Sequence, residues 1–196
     1  MTEACTAAGC ALLGGETAEM PGVYALGDYD LAGFIVGVVD AGTDRAAVKE
    51  GDLLVGLPSN GLHTNGYSLA RKVLEGTPLT KKLADQLLAP HTSYLDAMRS
   101  LRWKGAAHIT GGGILGNLPR CLPDGLGAVL DKKRWKVPPI FGEIQARGRV
   151  SDDEMHGTFN MGLGMILVVD TKDVDSGSIV VGEVVEQKGP ERVVLR

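Results

Sequence analysis

The chain has 196 residues, 44% apolar and 22% charged, with a net charge of −4; that length suits one domain, or one domain and a piece of another, and acidity without a basic run excludes nucleic acid as the expected partner. Three cysteines, Cys5, Cys10 and Cys121, odd in number and without metal-ligand spacing, read as reduced thiols of an intracellular protein. Residues 1–4 lack the basic start of a signal peptide, and no segment is long and apolar enough to span a membrane, so a cytoplasmic location is expected.

In chain order, residues 2–9 predict a helix stopped by Gly9, and residues 10–13 a short apolar strand. The loop 14–22, GGETAEMPG, carries two carboxylates three apart, Glu16 and Glu19. Such a pair can face one magnesium ion held on phosphates, although a solvated loop has the same composition. Residues 29–40, YDLAGFIVGVVD, predict a strand whose sheet partners are missing, and residues 44–51 a charged connector that suits a domain boundary.

A strand is expected from Asp52, then the turn 56–68, GLPSNGLHTNGYS, then a helix over 67–74. The turn holds more side-chain donors than backbone geometry requires. A phosphate-facing loop carrying one titratable group, His63, fits it, and so does an ordinary capped turn. Helices are expected over 79–89, ended by Pro90, and from His91 to about Arg102, with His91 as a cap. A short strand at 106–110 leads into TGGGILGNLP, residues 110–119. Its glycines let backbone amides reach an anion at a helix start, though the spacing matches neither the phosphate-binding lysine loop nor the dinucleotide fingerprint. Further on come a strand at 125–131, a helix at 138–147, an acidic helix start at 151–154, a buried strand within 158–170, and strands at 179–186 and 192–195 read as a hairpin. The fold class expected is α+β, a mixed β-sheet covered by helices. His108 reads equally as a satisfied buried side chain or a ligand, His156 as exposed, and Trp103 and Trp135 as packing residues. The cysteines read most simply as buried small apolar residues.

Four blocks, GGETAEMPG (14–22), PSNGLHTNGYSLARKVL (58–74), AHITGGGILGNLPRCLP (107–123) and DDEMHGTFNMGLGMILVV (152–169), occur in the order in which similar blocks occur in aminoimidazole ribonucleotide synthetases. The sequence resembles that family from the end of its amino-terminal domain, residues 1–43, through its carboxy-terminal domain, residues 44–196. The resemblance implies a homodimeric, ATP-dependent cyclo-ligase of purine biosynthesis that closes formylglycinamidine ribonucleotide to aminoimidazole ribonucleotide, with ATP and Mg2+. It implies a nucleotide site at Gly14, Gly15, Glu16, Thr17 and Glu19, and a substrate site at Asn65, Thr110, Gly111, Gly112 and Gly113. It also places His63 at the reacting end of the substrate. Most of the family's nucleotide site lies on a domain absent here, so the chain alone is expected to be inactive. A looser resemblance extends to selenophosphate synthetase, thiamine monophosphate kinase and a hydrogenase maturation protein. A non-catalytic fragment, or a partner-dependent half of such an ATP-using enzyme, is the alternative.

Overall fold

In the computed structural model, which describes residues 1–38 and 47–196, the chain divides into two units, Met1–Ala41 and Gly42–Arg196.

The first unit holds helix α1 (Thr2–Ala8) and otherwise has little regular structure. Gly9 ends the helix in the left-handed conformation (φ 67°), and its amide bonds back to Cys5 and Thr6 carbonyls. The strand expected at residues 10–13 does not form, nor does the strand expected at 29–40 over its described part, 29–38; residues 39 and 40 lie outside the described residues, as does 44–46 of the expected connector. A strand is stable only when its N–H and C=O groups meet a neighbour. Among the described residues of this unit no named strand is there to meet them, and Leu31, Phe34, Ile35, Val36 and Val38 stay exposed.

The second unit is the expected mixed sheet. Its strands are β1 (Leu53–Pro58), β2 (Gly105–His108), β3 (Leu126–Leu130), β4 (Leu163–Val169), β5 (Val180–Glu186) and β6 (Val193–Leu195), in the order β2-β4-β1-β5-β3-β6. All pairings are antiparallel except β3 with β6. The expected hairpin of the last two strands is therefore wrong: β3 lies between them. Two features outcompete the short turn. Val180–Glu186 pairs with both β1 and β3, which uses its two edges. The Arg192 guanidinium donates to the Leu122, Pro123 and Leu126 carbonyls, which draws the last strand to the far side of β3.

The helices are α2 (Tyr67–Leu74), α3 (Lys81–Leu87), α4 (Leu95–Ser100), α5 (Gly113–Asn117), α6 (Pro139–Gly148) and α7 (Asp152–Thr158). Thr80 caps α3 by accepting from Leu83 N–H, and Ser151 caps α7 by accepting from Glu154 N–H. Every residue of β4 is buried, so this strand has no polar face. Leu54, Ala107, Ile166 and Val168 pack with Ile114 and Leu118 on one side. Val55, Met165, Leu167 and Val169 pack with Tyr94, Met98 and Trp103 on the other. A third apolar cluster, including Ala70, Leu83, Ile144, Met155 and Phe159, joins α2, α3, α6 and α7. Both tryptophans pack as expected, each with its indole N–H on a backbone carbonyl: Trp103 on Met98 and Trp135 on Met161. Cys121 is buried as expected, whereas Cys5 and Cys10 are only partly so.

Candidate active site

Three loops at one end of the sheet build the site: the turn after β1, the segment before α4, and the glycine-rich turn after β2. The first is fixed from β4's approach. Asn160, 3% exposed, accepts from Ser59 Oγ at 2.8 Å and from Gly162 N–H at 2.9 Å, and donates to the Gly61 carbonyl at 2.8 Å. These bonds hold residues 59–62 against the core, and His63 follows in the left-handed conformation (φ 59°), which costs a non-glycine residue energy and marks a functional candidate.

His63 is 7% exposed. Its Nε2 lies 2.9 Å from Asn60 Oδ1, while Asn60 Nδ2 donates to the Pro90 carbonyl at 2.7 Å. A carbonyl only accepts, so it fixes the way the Asn60 amide points. Oδ1 must face the histidine, and Nε2 must carry the proton. The Nδ1 lone pair is then left buried and without a partner. Burial first, and then the nearby His91 and His108, lower the His63 pKa to about 4. At neutral pH the ring is an uncharged acceptor. β4 makes room for it at Gly164: a Cβ there would come within 2.6 Å of His63 Cε1 and collide with the Tyr94 hydroxyl. That hydroxyl donates to the Pro58 carbonyl at 2.9 Å, and burial pushes its pKa up to about 12.

The glycine-rich turn lies beside this loop. Asn65 Oδ1 is 3.4 Å from where a Gly111 Cβ would stand. Gly112 (φ 93°) and Gly113 (φ 59°) are both left-handed, and a side chain at Gly113 would run into the His156 carbonyl. Asn117 ties the turn from inside, donating to the Gly111 and Gly113 carbonyls at 3.1 and 2.8 Å, while Thr110 Oγ1 reaches Asn117 Oδ1 at 3.3 Å. The Gly113 N–H bonds to the Thr110 carbonyl at 3.0 Å. Gly111 and Gly112 are the exposed glycines of the turn.

The structure thus brings together His63, Asn65, Thr110, Gly111, Gly112 and Gly113. The other expected residues, Gly14, Gly15, Glu16, Thr17 and Glu19, belong to the first unit, in an exposed stretch without regular structure. Among the described residues no three His, Cys, Asp or Glu side chains are grouped to hold a metal ion. Glu16 and Glu19 are two exposed carboxylates, a donor type that suits a magnesium ion already carried on phosphates.

Sequence reasoning misplaced His91 and His156, and of its two readings for His108 the buried one does not hold. His91 is not a helix cap, since α4 begins at Leu95. It stacks on His63, with ring centroids 3.8 Å apart and planes tilted by 31°. His108 is exposed rather than buried, because its strand ends at the open rim of the sheet; its Nε2 is 3.2 Å from His91 Nε2. His156 is buried, not exposed: it sits on the inner face of α7 with Nδ1 2.9 Å from the Asp152 carbonyl. Asn60, Asn117 and Asn160, which hold the site's loops, were not singled out for that role. The one available signal was an asparagine three residues before His63 in a turn rich in amides.

A family model described as AIR synthase related protein, C-terminal domain, matches residues 49–194. A phosphoribosylformylglycinamidine cyclo-ligase of Myxococcus xanthus (strain DK1622) is 58% identical over 186 residues, covering 87% of this chain and 54% of that protein. The protein of the same name from Thermoanaerobacter pseudethanolicus is 45% identical, covering 96% of this chain and 64% of its own length. The chain therefore spans between about half and two thirds of these relatives. Among solved structures, a thiamine-monophosphate kinase from Stenotrophomonas maltophilia K279a aligns with a TM-score of 0.54 at 16% identity, over 80% of this chain and 54% of that one. That likeness concerns the fold.

Proposed function

The chain belongs to the AIR synthase related protein family, whose C-terminal domain it carries, and on that premise we propose that it is the substrate-holding part of a phosphoribosylformylglycinamidine cyclo-ligase. The carrying observation is His63: buried, held as the Nε2–H tautomer, with its Nδ1 lone pair unpartnered beside a glycine-rich turn. A buried acceptor without a donor is costly unless something bound donates to it.

In the ring closure, ATP supplies the phosphoryl group that activates the formyl oxygen; an amidine nitrogen attacks the activated carbon and phosphate leaves. The attacking nitrogen must shed a proton. His63 Nδ1 is the acceptor for it, first as a hydrogen-bond acceptor and then as a base. Thr110, Gly111 and Gly112 offer the ribose phosphate a turn without bulky side chains, where Gly112 opens α5. Asn65, beside Gly111, orients the substrate between the two. Glu16 and Glu19 would hold a nucleotide-bound magnesium ion. The working enzyme is a homodimer in the cytoplasm. The kinase-like alternative rests on fold alone, at 14–16% identity, and no feature of the His63 site favours it.

The chain alone does not close the ring. Mixed with, or fused to, the amino-terminal part of the Myxococcus xanthus relative, it regains turnover measured as ADP release coupled to ring formation. In that completed enzyme His63→Ala lowers kcat by about two to four powers of ten. His63→Asn, which tolerates the left-handed backbone and offers an acceptor oxygen but no base, recovers part of the loss. Near-normal turnover of His63→Ala would remove His63 from the mechanism, and robust turnover by the unmixed chain would overturn the partial-enzyme reading.

A further inference from the structure

His91 follows Pro90, whose carbonyl accepts from Asn60 Nδ2, and both nitrogens of its ring have a partner. Its Nδ1 lies 2.8 Å from the Thr92 carbonyl. That oxygen only accepts, so Nδ1 carries the proton and Nε2 presents a lone pair. His91 Nε2 faces His108 Nε2 at 3.2 Å, so in the neutral state His108 donates, as the Nε2–H tautomer. The other flat side of His91 lies on His63 at 3.8 Å. Tyr94 closes the group, with ring centroids 6.0 Å from His63 and 6.1 Å from His91.

Three imidazoles packed this closely cannot all be charged, because like charges a few ångströms apart oppose one another. Where the first proton goes decides what His63 can do. The His91–His108 pair already shares one proton between two nitrogens, His91 and His108 are exposed at the rim, and an added proton there is hydrated. His63 is buried, its Nε2–H is taken by Asn60, and a proton on Nδ1 would find no acceptor.

We propose that His91 is a positioning residue for the reacting-end histidine: stacked on His63 and hydrogen-bonded to His108, it keeps the cluster's proton on the His91–His108 pair, so that the Nδ1 lone pair of His63 stays open to substrate. Resting on the role proposed above for His63, this goes beyond it by adding a residue that touches no reacting atom. The charges that face His63 are those of His91 and His108. Tyr94 is the remaining titratable group against it, and its phenol is neutral throughout the relevant range. His108, although exposed at the rim, is partly desolvated by its neighbours, and that and then the charge of His91 hold it below the usual histidine range.

The test is the tautomer and titration of each imidazole in the 196-residue chain, read by long-range proton–nitrogen NMR between pH 4 and 9. In the unaltered chain His63 stays neutral, in the Nε2–H form, until the pH falls to about 4. In His91→Ala the His63 midpoint rises by about one pH unit, through both added hydration and lost charge. His91→Phe separates the two causes, since it keeps a stacked ring but cannot hold a proton: the His63 midpoint still rises, by about half a pH unit. If His91→Phe leaves His63 titrating as in the unaltered chain, the ring only shields His63 and the proposal fails. It also fails, with no variant needed, if His63 takes up the first proton. These readings do not involve catalysis, so they are separable from a failure of the ring-closing assignment.

Discussion

Gly164 shows how one missing methyl group can shape a site. It lies in β4 among fully buried residues, and a Cβ there meets two rings at once, His63 and Tyr94. Neither ring can retreat freely: Tyr94 is bonded to the Pro58 carbonyl and His63 to Asn60. Overpacking of this kind costs about 1–3 kcal/mol, so Gly164→Ala lowers the urea midpoint accordingly. In a completed enzyme it also lowers turnover by more than the stability loss explains, because His63 is displaced. Gly142, with nothing within 4 Å of its would-be Cβ and an ordinary helical backbone, is the control, and its alanine variant unfolds at the same urea concentration as the parent or above it.

At the scale of elements, the sheet is fastened at one end by Lys104, which precedes β2. Its ammonium is 2.7 Å from Asp52 Oδ1 and 3.1 Å from Asp170 Oδ2. Burial pulls the Lys104 pKa down, but the hydrogen bonds and charges of Asp52 and Asp170 outweigh it, and the pKa ends above its ordinary value. Asp170 is lowered, first by the Lys104 hydrogen bond and then by the Lys172 amide. A raised lysine stabilises the fold below its unfolded pKa and loses that contribution as pH rises through the folded one. A lowered carboxyl stabilises above its unfolded pKa and loses it as pH falls. The Lys104–Asp170 bond therefore holds between about pH 4 and pH 10. Lys104→Met leaves Asp52, 1% exposed, without its cation and destabilises by about 3–5 kcal/mol. Adding Asp52→Asn to that variant recovers part of the loss, as thermal unfolding at pH 7 would register.

The same scale shows which elements were legible in the sequence. Helix α2, capped α3 and α7, and strands β1 to β6 were readable because apolar spacing and punctuation by Gly, Pro, Ser and Thr are local signals. The positions of the two turns, 56–68 and 110–113, between a strand and a helix were readable because glycines and amides punctuate the end of an apolar run. The partner of β6 was not readable, because pairing depends on which edge β5 has left open. His91 was not either: it lies 28 positions after His63 in sequence, and long-range contacts, the Asn60 bond to Pro90 and its own bond to His108, hold it at the site. The segment 29–38 misled for the opposite reason, since its composition is that of a strand but, among the described residues, it pairs with no named strand.

For the whole molecule, the histidines set how acid the surroundings can become. The His63 pKa in the folded chain is about 4, below its ordinary 6.5, and His108 is shifted the same way. Between those values the unfolded chain binds more protons than the folded one, so stability falls as pH drops from about 6.5 to 4. Below that, the lowered carboxyls Asp170 and Asp152 continue the decline. Urea midpoints measured at pH 7, 5.5 and 4.5 decrease in that order, and His63→Asn flattens the slope between pH 6.5 and 4.5. An unchanged slope in that variant would show that His63 is not held neutral by the fold.

The order of strands in the sheet also bears on how the polypeptide comes into being. β1 is the first strand of the sheet to leave the ribosome, yet its two neighbours are β4 and β5, with Leu53 opposite Val169 and Glu183. Until those have emerged, Leu54 and Val55 have nowhere to be buried, and the growing chain must keep an apolar strand waiting while helices α2 to α7 and strands β2 and β3 are made behind it. Such distant pairing is slow to form and open to wrong encounters. Whatever shields nascent chains in the cell has its longest task here at β1.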